Sequence, residues 1–292
     1  MENKLRRYLP AELADKLIKK GVEDALEIRL RAGKTVKIRY PLKTEKIDCI
    51  ADKSLLEEIL QQLCGYSLYA YSDDISRGFI TAGGWRVGIG GRVSCADGSC
   101  RGIKNISSLN IRIARQIKGC ADGVLKYLFD NNVLKGTLIA SPPACGKTTL
   151  VRDIARQLSN MGSNTAVIDE RGEIAALGTD GIPCFDVGEN TDILSGIKKS
   201  EGAEMALRSL APQVMVLDEI GGAEDMQAVY DAVTGGCTVV CTAHTYSIES
   251  LYKRKNIYPL IKDGIIERII FLSGAGRVEF ICGERGEKLW QS

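Results

Sequence analysis

Hydrophobic and polar positions change their spacing several times along the chain. In residues 5–20 apolar side chains recur three or four positions apart, which predicts a helix with one buried face. Residues 27–31 and 36–40 alternate instead, which is typical of a β-hairpin. Helical spacing returns over residues 55–63. Glycine-punctuated strands are predicted at 78–81, 85–93 and 108–114. The first 118 residues therefore predict a small α+β domain.

From residue 136 onward, strand-length apolar runs alternate with amphipathic helical segments, which predicts a parallel sheet with crossover helices. The predicted strands are 137–140, 165–170, 213–219 and 237–244, and the predicted helices are 150–158, 201–210 and 224–234. Residues 266–273 and 277–282 are predicted to close the chain as a hairpin. We therefore expect an α/β domain at 136–292, joined to the first domain by a linker at 119–135 with a helical segment at 124–129.

A tight loop links the first of these strands to the first helix and has the form of a phosphate-binding loop. Its residues are Ser141, Pro142, Pro143, Ala144, Cys145, Gly146, Lys147, Thr148 and Thr149. Strand, loop and helix are the context in which Gly-Lys-Thr binds phosphate, through backbone N–H groups and the helix N-terminus. Lys147 is expected to neutralise the β/γ phosphates, and Thr148 to place its hydroxyl on Mg²⁺. Ser141 and Ala144 stand where such loops often carry glycine.

Two later strands end in pairs of acids. Asp218 and Glu219 follow an apolar strand, which is the form of a Walker B motif. Asp218 is expected to hold Mg²⁺, and Glu219 to orient the attacking water. Ligands of an open parallel sheet bind beyond the carboxyl ends of its strands, so all these residues should meet at one edge.

The second acid pair begins an acidic turn at 169–173. Asp169, Glu170 and Glu173 could form a second carboxylate cluster near the metal and the water, or an exposed turn with an ion pair to Arg171. His244 is the sole histidine and ends another strand. Its chemistry alone allows contact with the γ-phosphate or a structural hydrogen bond.

Charge is nearly balanced, with 39 Lys and Arg against 37 Asp and Glu, so composition gives no general argument for nucleic-acid binding. Arginines nevertheless cluster on the glycine-rich strands of the first domain, at Arg86, Arg92, Arg101, Arg112 and Arg115. Arginine offers paired donors to phosphate, and a basic sheet face is the alternative interpretation. Aromatic residues are sparse among these arginines, so no nucleic acid is expected as a partner.

Ten cysteines are scattered without metal-binding spacing, so we expect reduced, buried thiols in a cytoplasmic protein. The N-terminus has no signal-peptide pattern, and no run of 18 apolar residues predicts a membrane span. Work at a membrane would therefore require a partner.

These motifs together resemble the stage III sporulation protein AA family, sporulation ATPases related to the type II and type IV secretion and pilus-motor ATPases. The resemblance rests on the runs SPPACGKTTL, VIDERGEIA, LAPQVMVLDEIGG and TAHT, and extends to GGWRVGIGGR and LNIRIAR in the first domain. It covers most of the chain.

The resemblance implies a RecA-like P-loop NTPase core with a smaller N-terminal α+β domain, assembled as a homohexameric ring that hydrolyses ATP with Mg²⁺. It implies an acidic box at Asp169, Glu170 and Glu173, and a histidine box at His244. The arginines that it offers for phosphate contact are Arg86, Arg92, Arg112 and Arg115. The implied partner is the cytoplasmic part of a membrane channel protein of the sporulation complex.

The sequence departs at two positions from the motifs of the families that it resembles. Ala144 stands where the sporulation family usually has glycine, and Asp218 restores an Asp-Glu pair where the secretion motors usually have Gly-Glu. Two other functions stay open. One is a nucleic-acid-translocating ATPase with the same core, and the other is a nucleotide-binding scaffold with little turnover.

Overall fold

The computed structural model describes residues 1–96, 99–113, 116–178, 181–274, 276–283 and 286–291, without the side chains of residues 95, 96 and 99–101. The chain divides into two compact units, Met1–Ala114 and Arg115–Ser292. Residues 119–135, expected as a linker, fall within the second unit. No helix in the described parts of the chain is long and apolar enough to cross a membrane.

The first unit packs helices against one antiparallel sheet. The helices are α1 (Glu2–Tyr8), α2 (Ala11–Lys20), α3 (Lys53–Leu63) and α4 (Ser72–Ser76), with a 3-10 turn at Leu68–Tyr71. The strands are β1 (Glu27–Arg31), β2 (Lys34–Arg39), β3 (Thr44–Ala51), β4 (Phe79–Ala82), β5 (Trp85–Ala96) and β6 (Ser99–Ile113). They pair in the order β3-β2-β1-β6-β5-β4. The core lies between helices and sheet, with Leu13 and Leu17 of α2 and Trp85 of β5 fully buried.

The prediction of one helix over residues 5–20 is wrong, because α1 and α2 are separate. Pro10 lies between them and has no N–H to donate, and it forces the preceding Leu9 into an extended conformation (φ −130°, ψ 146°). The predicted hairpin is confirmed, since β1 and β2 pair antiparallel, Ile28 opposite Ile38. Strand β3 extends it and was not predicted.

The second unit is built on an eight-stranded mixed sheet. Its helices are α5 (Asp122–Leu125), α6 (Lys147–Asn160), α7 (Lys199–Ser209), α8 (Ala223–Thr234), α9 (Ile248–Tyr252) and α10 (Tyr258–Lys262). A 3-10 turn lies at Lys126–Leu128. Its strands are β7 (Phe129–Asp130), β8 (Val133–Leu134), β9 (Thr137–Ser141), β10 (Thr165–Asp169), β11 (Thr191–Ser195), β12 (Val214–Leu217), β13 (Thr238–His244), β14 (Arg268–Ser273), β15 (Arg277–Gly283) and β16 (Lys288–Gln291).

The large sheet has the order β11-β10-β12-β13-β9-β14-β15-β16, and β7 and β8 form a separate pair. Strands β11 through β14 are parallel in this order, and β14, β15 and β16 are antiparallel. Successive residues of one strand enter different cores, as Met215 packs with α8 residues and Val216 with α6 residues. Helices therefore cover both faces, and the carboxyl ends of β9, β13 and β12 lie side by side.

Candidate functional site

The loop between β9 and α6 contains two residues in the left-handed backbone region. Ala144 has φ +60° and Gly146 has φ +92°. The φ of Gly146 favours glycine, and a Cβ at this position would also lie in tight contact with the Gly276 Cα, at 3.0 Å. For an alanine the left-handed region costs about 1–2 kcal/mol. The loop thus adopts at Ala144 the conformation that glycine would hold without strain.

Lys147, the first residue of α6, is buried, with 4% of its surface exposed. Its Nζ lies 3.2 Å from the Ser141 Oγ, 3.2 Å from the Pro142 carbonyl oxygen and 2.8 Å from the His244 Nδ1. Burial lowers the pKa of Lys147, and the nearby charges of Asp218 and Glu219 oppose that change. His244 reaches the lysine because it pairs directly with Ser141 across β13 and β9.

Asp218 follows β12 and is held by two hydroxyl groups. The Thr148 Oγ1 donates to its Oδ2 at 2.9 Å, and the Thr242 hydroxyl donates to its Oδ1. Burial raises the pKa of Asp218, and the two hydroxyl hydrogen bonds act in the opposite direction. Thr242 was missed by sequence reasoning. It lies two residues before His244, so the strand period of two would have placed both on one face.

The pair Thr148 and Asp218 suits Mg²⁺ bound together with a nucleotide. One hydroxyl and one carboxylate are hard oxygen donors, and magnesium in nucleotide sites takes few protein ligands beside phosphate and water. Within the described residues, no group of three or more His, Cys, Asp or Glu side chains could hold a metal ion by itself. The donor set therefore fits a nucleotide-associated magnesium ion rather than an all-protein metal site.

Glu219 joins this network through both its backbone and its carboxylate. Its N–H donates to the Thr242 Oγ1 at 2.8 Å, and its Oε1 lies 3.0 Å from the His244 Nε2. Its Oε2 accepts from Arg171. Because the Lys147 ammonium can only donate, the His244 Nδ1 must accept, and its Nε2–H donates to Glu219. The imidazole therefore bridges the loop lysine and the acid after β12.

The acidic turn after β10 has different partners. Both oxygens of the buried Asp169 accept hydrogen bonds from backbone N–H groups, at 2.8–3.3 Å, contributed by Glu173, Ile174, Ala175 and Ala176. Glu170 pairs with Lys199, and the Glu173 carbonyl accepts from Arg152. In this structure Asp169 anchors its own turn, so its metal role and the roles of Glu170 and Glu173 stay predictions.

Arg152, Arg171 and Lys199 also border the site and were not singled out from the sequence as functional. Arg152 lies one helical turn after Thr148, is buried, and stacks 4.2 Å from the Phe185 ring centroid. Its Nε donates to the Ile174 carbonyl oxygen. For Arg152 and Lys199 the available signal was a charged residue on the buried face of a helix.

The predicted arginines of the first unit lie on its glycine-rich strands. Arg86 and Arg112 are opposite each other on β5 and β6, and Arg86 stacks 4.2 Å from the Phe79 ring. Arg92 is exposed on β5. Arg115 lies outside the described residues. Their contact with phosphate stays a prediction. The described cysteines are free, but Cys49, Cys120 and Cys184 are only partly buried, whereas burial was expected. Burial raises the pKa of Cys64 and of Cys120 to about 11.

The parallel strands of the large sheet and the loop after β9 define a RecA-like P-loop fold, as the family resemblance implied. The Legionella pneumophila ATPase DotB superposes with a TM-score of 0.57 at 16% identity, covering 91% of this chain and 76% of that one. The pilus retraction motor PilT with bound ADP gives 0.60 at 16% identity, covering 88% and 76%. At these identities the likeness concerns the fold.

The chain belongs to the stage III sporulation protein AA family, because the family model described as "Sporulation stage III, protein AA" matches residues 2–289. Stage III sporulation protein AA of Bacillus subtilis (strain 168) is 37% identical over an alignment of 302 residues, gaps included. The alignment covers 98% of this chain and 97% of that protein. The resemblance inferred from the motifs is confirmed.

Proposed function

We propose that this protein binds Mg·ATP at the loop 141–149 and hydrolyses it. The observation that carries the proposal is the single hydrogen-bonded network at the carboxyl edge of the sheet, which joins Lys147, His244 and Glu219 on one side and Thr148 and Asp218 on the other. A solved neighbour in fold, PilT, carries bound ADP, which supports a nucleotide as the ligand.

Each residue has a role that its contacts make feasible. Backbone N–H groups of the loop and of the first turn of α6 would hold phosphate oxygens. Lys147 would exchange its contacts with Ser141, Pro142 and His244 for the β- and γ-phosphates, where its charge is better compensated. When Lys147 turns to the phosphates, the His244 Nδ1 loses its hydrogen-bond donor, so the environment of His244 would change when the γ-phosphate is bound.

Magnesium bound with ATP would neutralise charge on the phosphate oxygens, and Thr148 and Asp218 are the residues that would hold it. The Thr148 hydroxyl can turn from the Asp218 carboxylate to the ion, because a hydroxyl rotates freely and also has lone pairs to offer. Glu219 would accept a proton from the attacking water while its carboxylate is oriented by His244.

From the family membership and the fold we infer that the protein acts as a motor in bacterial sporulation. We place it as a cytoplasmic homohexameric ring, peripheral at the membrane through the cytoplasmic part of a channel protein of the sporulation complex. The acidic box (Asp169, Glu170 and Glu173) and the arginines Arg86, Arg92, Arg112 and Arg115 would contribute to ATP sites in that ring. The family and the likeness to secretion and pilus ATPases support this role.

Phosphate release from purified protein with Mg·ATP tests the proposal. Glu219→Gln should lower the rate by about 10²-fold or more while ATP binding is kept, since a general base contributes about 10²–10⁴-fold. Glu224→Gln is the matched control, because Glu224 is an exposed acid of α8 that pairs with Lys198. Equal background rates in all three proteins, with ATP still bound, would establish a nucleotide-binding scaffold instead.

Two further measurements separate the remaining alternatives. Stimulation of hydrolysis by DNA or RNA would favour a nucleic-acid motor, whereas stimulation by a membrane partner's cytoplasmic segment would support the secretion-type motor. Mass measurement in solution with and without Mg·ATP tests the ring. A persistent monomer without activity would contradict the motor.

A further inference from the structure

Arg171 contacts the proposed catalytic acid rather than the acids of its own turn. Its guanidinium pairs with the Oε2 of Glu219, which follows the neighbouring strand β12. We propose that Arg171 is a positioning residue that fixes the Glu219 carboxylate for hydrolysis. This inference rests on the proposed function and adds to it a residue that acts through Glu219.

The backbone of Glu219 creates the need for such a contact. Its φ is +54°, in the left-handed region that non-glycine residues rarely adopt. A residue held there persists only where the surrounding structure fixes it. One fixed point is the hydrogen bond from the Glu219 N–H to the Thr242 Oγ1. That contact sets the backbone, but it leaves the rotation of the side chain open.

The carboxylate is fixed by one donor on each oxygen. His244 donates to Oε1 and Arg171 to Oε2, so rotation about the last side-chain bond would break both contacts. An ionised carboxylate offers about four lone-pair sites, so two donors leave room for a water molecule to donate as well. The pair of donors therefore orients the acid without consuming its capacity as a base.

Arg171 is itself placed by the acidic turn. Asp169 gathers the backbone N–H groups of residues 173–176, and the Gly172 N–H donates to the Asp169 carbonyl oxygen at 3.2 Å with Gly172 at φ +64°. Arg171 lies within this closed turn, between Asp169 and Gly172. The turn therefore holds the Glu219 carboxylate through Arg171. Asp169 contributes by anchoring this turn, without binding a metal.

Exposure makes the residue testable without loss of the fold. The Arg171 side chain is 56% exposed, and ion pairs at that exposure contribute little to stability. Arg171→Ala should therefore fold normally. Its kcat for ATP hydrolysis should fall about tenfold while KM changes less than about twofold, because the contact acts on the reacting water and not on nucleotide binding. Arg171→Lys should recover part of the loss.

Arg208→Ala is the matched control. Arg208 is an exposed arginine of α7 that pairs with Glu204, so its removal deletes a comparable surface ion pair away from Glu219. Its kcat, KM and thermal midpoint should equal those of the unchanged protein. An equal fall of kcat in Arg208→Ala would show that the effect of Arg171→Ala is not specific, and would overturn the inference.

A double-mutant cycle in single-turnover hydrolysis decides whether Arg171 acts through Glu219. Arg171→Ala should cost nothing further in a Glu219→Gln background. If the rate losses of Arg171→Ala and Glu219→Gln multiply in the double variant, Arg171 acts elsewhere and the inference is overturned. An unchanged kcat, or a raised KM alone, in Arg171→Ala would overturn it as well. If the unchanged protein itself shows no hydrolysis, the proposed function fails; if it is active and Arg171→Ala matches it, the inference alone fails.

Discussion

Two neighbouring parallel strands, β10 and β12, end in the same sequence pattern. Each is an apolar run followed by aspartate and glutamate: Asp169-Glu170 at the end of β10 and Asp218-Glu219 after β12. The structure gives the two aspartates opposite surroundings. Four backbone N–H groups surround Asp169, whereas two side-chain hydroxyls hold Asp218. The same sequence pattern therefore anchors its own turn at Asp169, whereas at Asp218 it leaves a carboxylate that is held by rotatable side-chain hydroxyls.

The difference comes from where the following backbone N–H groups are directed. After Asp169 the chain closes a turn through Gly172, and the next N–H groups point back at the carboxylate. After Asp218 they have other acceptors. Glu219 and Ile220 donate to Thr242, and Gly221 and Gly222 donate to the Asp225 carboxylate at the start of α8. Asp218 is thereby left with hydroxyl partners, which can rotate when a ligand arrives.

The largest effect that tests this contrast is on stability. Asp169→Asn should lower the free energy of unfolding by about 3 kcal/mol or more, because the new NH₂ group faces N–H donors and charge-assisted hydrogen bonds of about 1.5–3 kcal/mol each are lost. Asp218→Asn should leave it within about 1 kcal/mol or raise it, since hydroxyls can donate or accept. Chemical denaturation of the two variants at pH 7 measures both.

The expected sign of the stability change in Asp218→Asn follows from the pKa of Asp218. Burial raises the pKa of Asp218 above its ordinary value, so the charged form at pH 7 is less favourable in the folded than in the unfolded chain. Removing the charge removes that cost, and the gain should shrink as the pH falls toward the raised pKa. Equal destabilisation by both substitutions would mean that the two aspartates serve the same structural purpose.

The position of Asp218 at the edge of the sheet was easier to predict from the sequence than the surroundings of Asp169. The loop 141–149, Asp218-Glu219 and His244 are predictable because each sits at the end of a predicted strand of one parallel sheet. The role of Asp169 is not, since no side-chain pattern tells where four later N–H groups will point. Arg171 lies in the acidic turn 169–173, but its partner Glu219 is 48 positions away in the chain.

The predicted helices and strands were wrong or incomplete in two places. In one the hydrophobic pattern was weak, and in the other the effect of a proline on the preceding residue was not applied. Strand β11 (Thr191–Ser195) is partly exposed along its length and has no continuous apolar run, so it gave no strand signal. Pro10 did give a signal, because the residue before a proline is restricted to extended conformations. Long helical spacing across residues 5–20 concealed that break.

A smaller effect should follow at Lys199, which connects the two acidic segments. Its Nζ pairs with Glu170 after β10 and lies 3.7 Å from Asp225, which caps the loop after Glu219. Lys199 is only 9% exposed, so Lys199→Met should lower the free energy of unfolding by about 1–2 kcal/mol. This loss is smaller than for a fully buried pair, because Glu170 can turn to water.

The preceding residue provides the matched control. Lys198 pairs with Glu224 at 3.5 Å and is 62% exposed, so Lys198→Met should change the free energy of unfolding by less than about 0.5 kcal/mol. The two variants lose the same charge at adjacent positions and differ in burial. Equal changes in the free energy of unfolding for Lys198→Met and Lys199→Met would show that the contacts of Lys199 with Glu170 and Asp225 do not stabilise the fold.

The smallest effect concerns backbone strain in the loop 141–149. Substitution of a single alanine there can separate an effect on stability from an effect on ligand binding. Ala144 is exposed at φ +60°, so Ala144→Gly relieves the left-handed strain without removing a buried methyl group. We expect the free energy of unfolding to rise by about 0.5–1 kcal/mol, the relief being partly offset by the greater freedom of glycine in the unfolded chain. ATP affinity should be equal or tighter, because the loop reaches its binding conformation at lower cost.

Ala211 separates the two consequences of that change. It is also exposed and left-handed, at φ +46°, but it lies between α7 and β12, outside the loop 141–149. Ala211→Gly should therefore raise stability to a similar extent while ATP affinity stays the same, as measured by titration with a fluorescent ATP analogue. A clear loss of affinity in Ala144→Gly would show that the strained alanine holds the loop open for phosphate. In that case the strain at position 144 would serve phosphate binding, and relieving it would cost affinity rather than improve it.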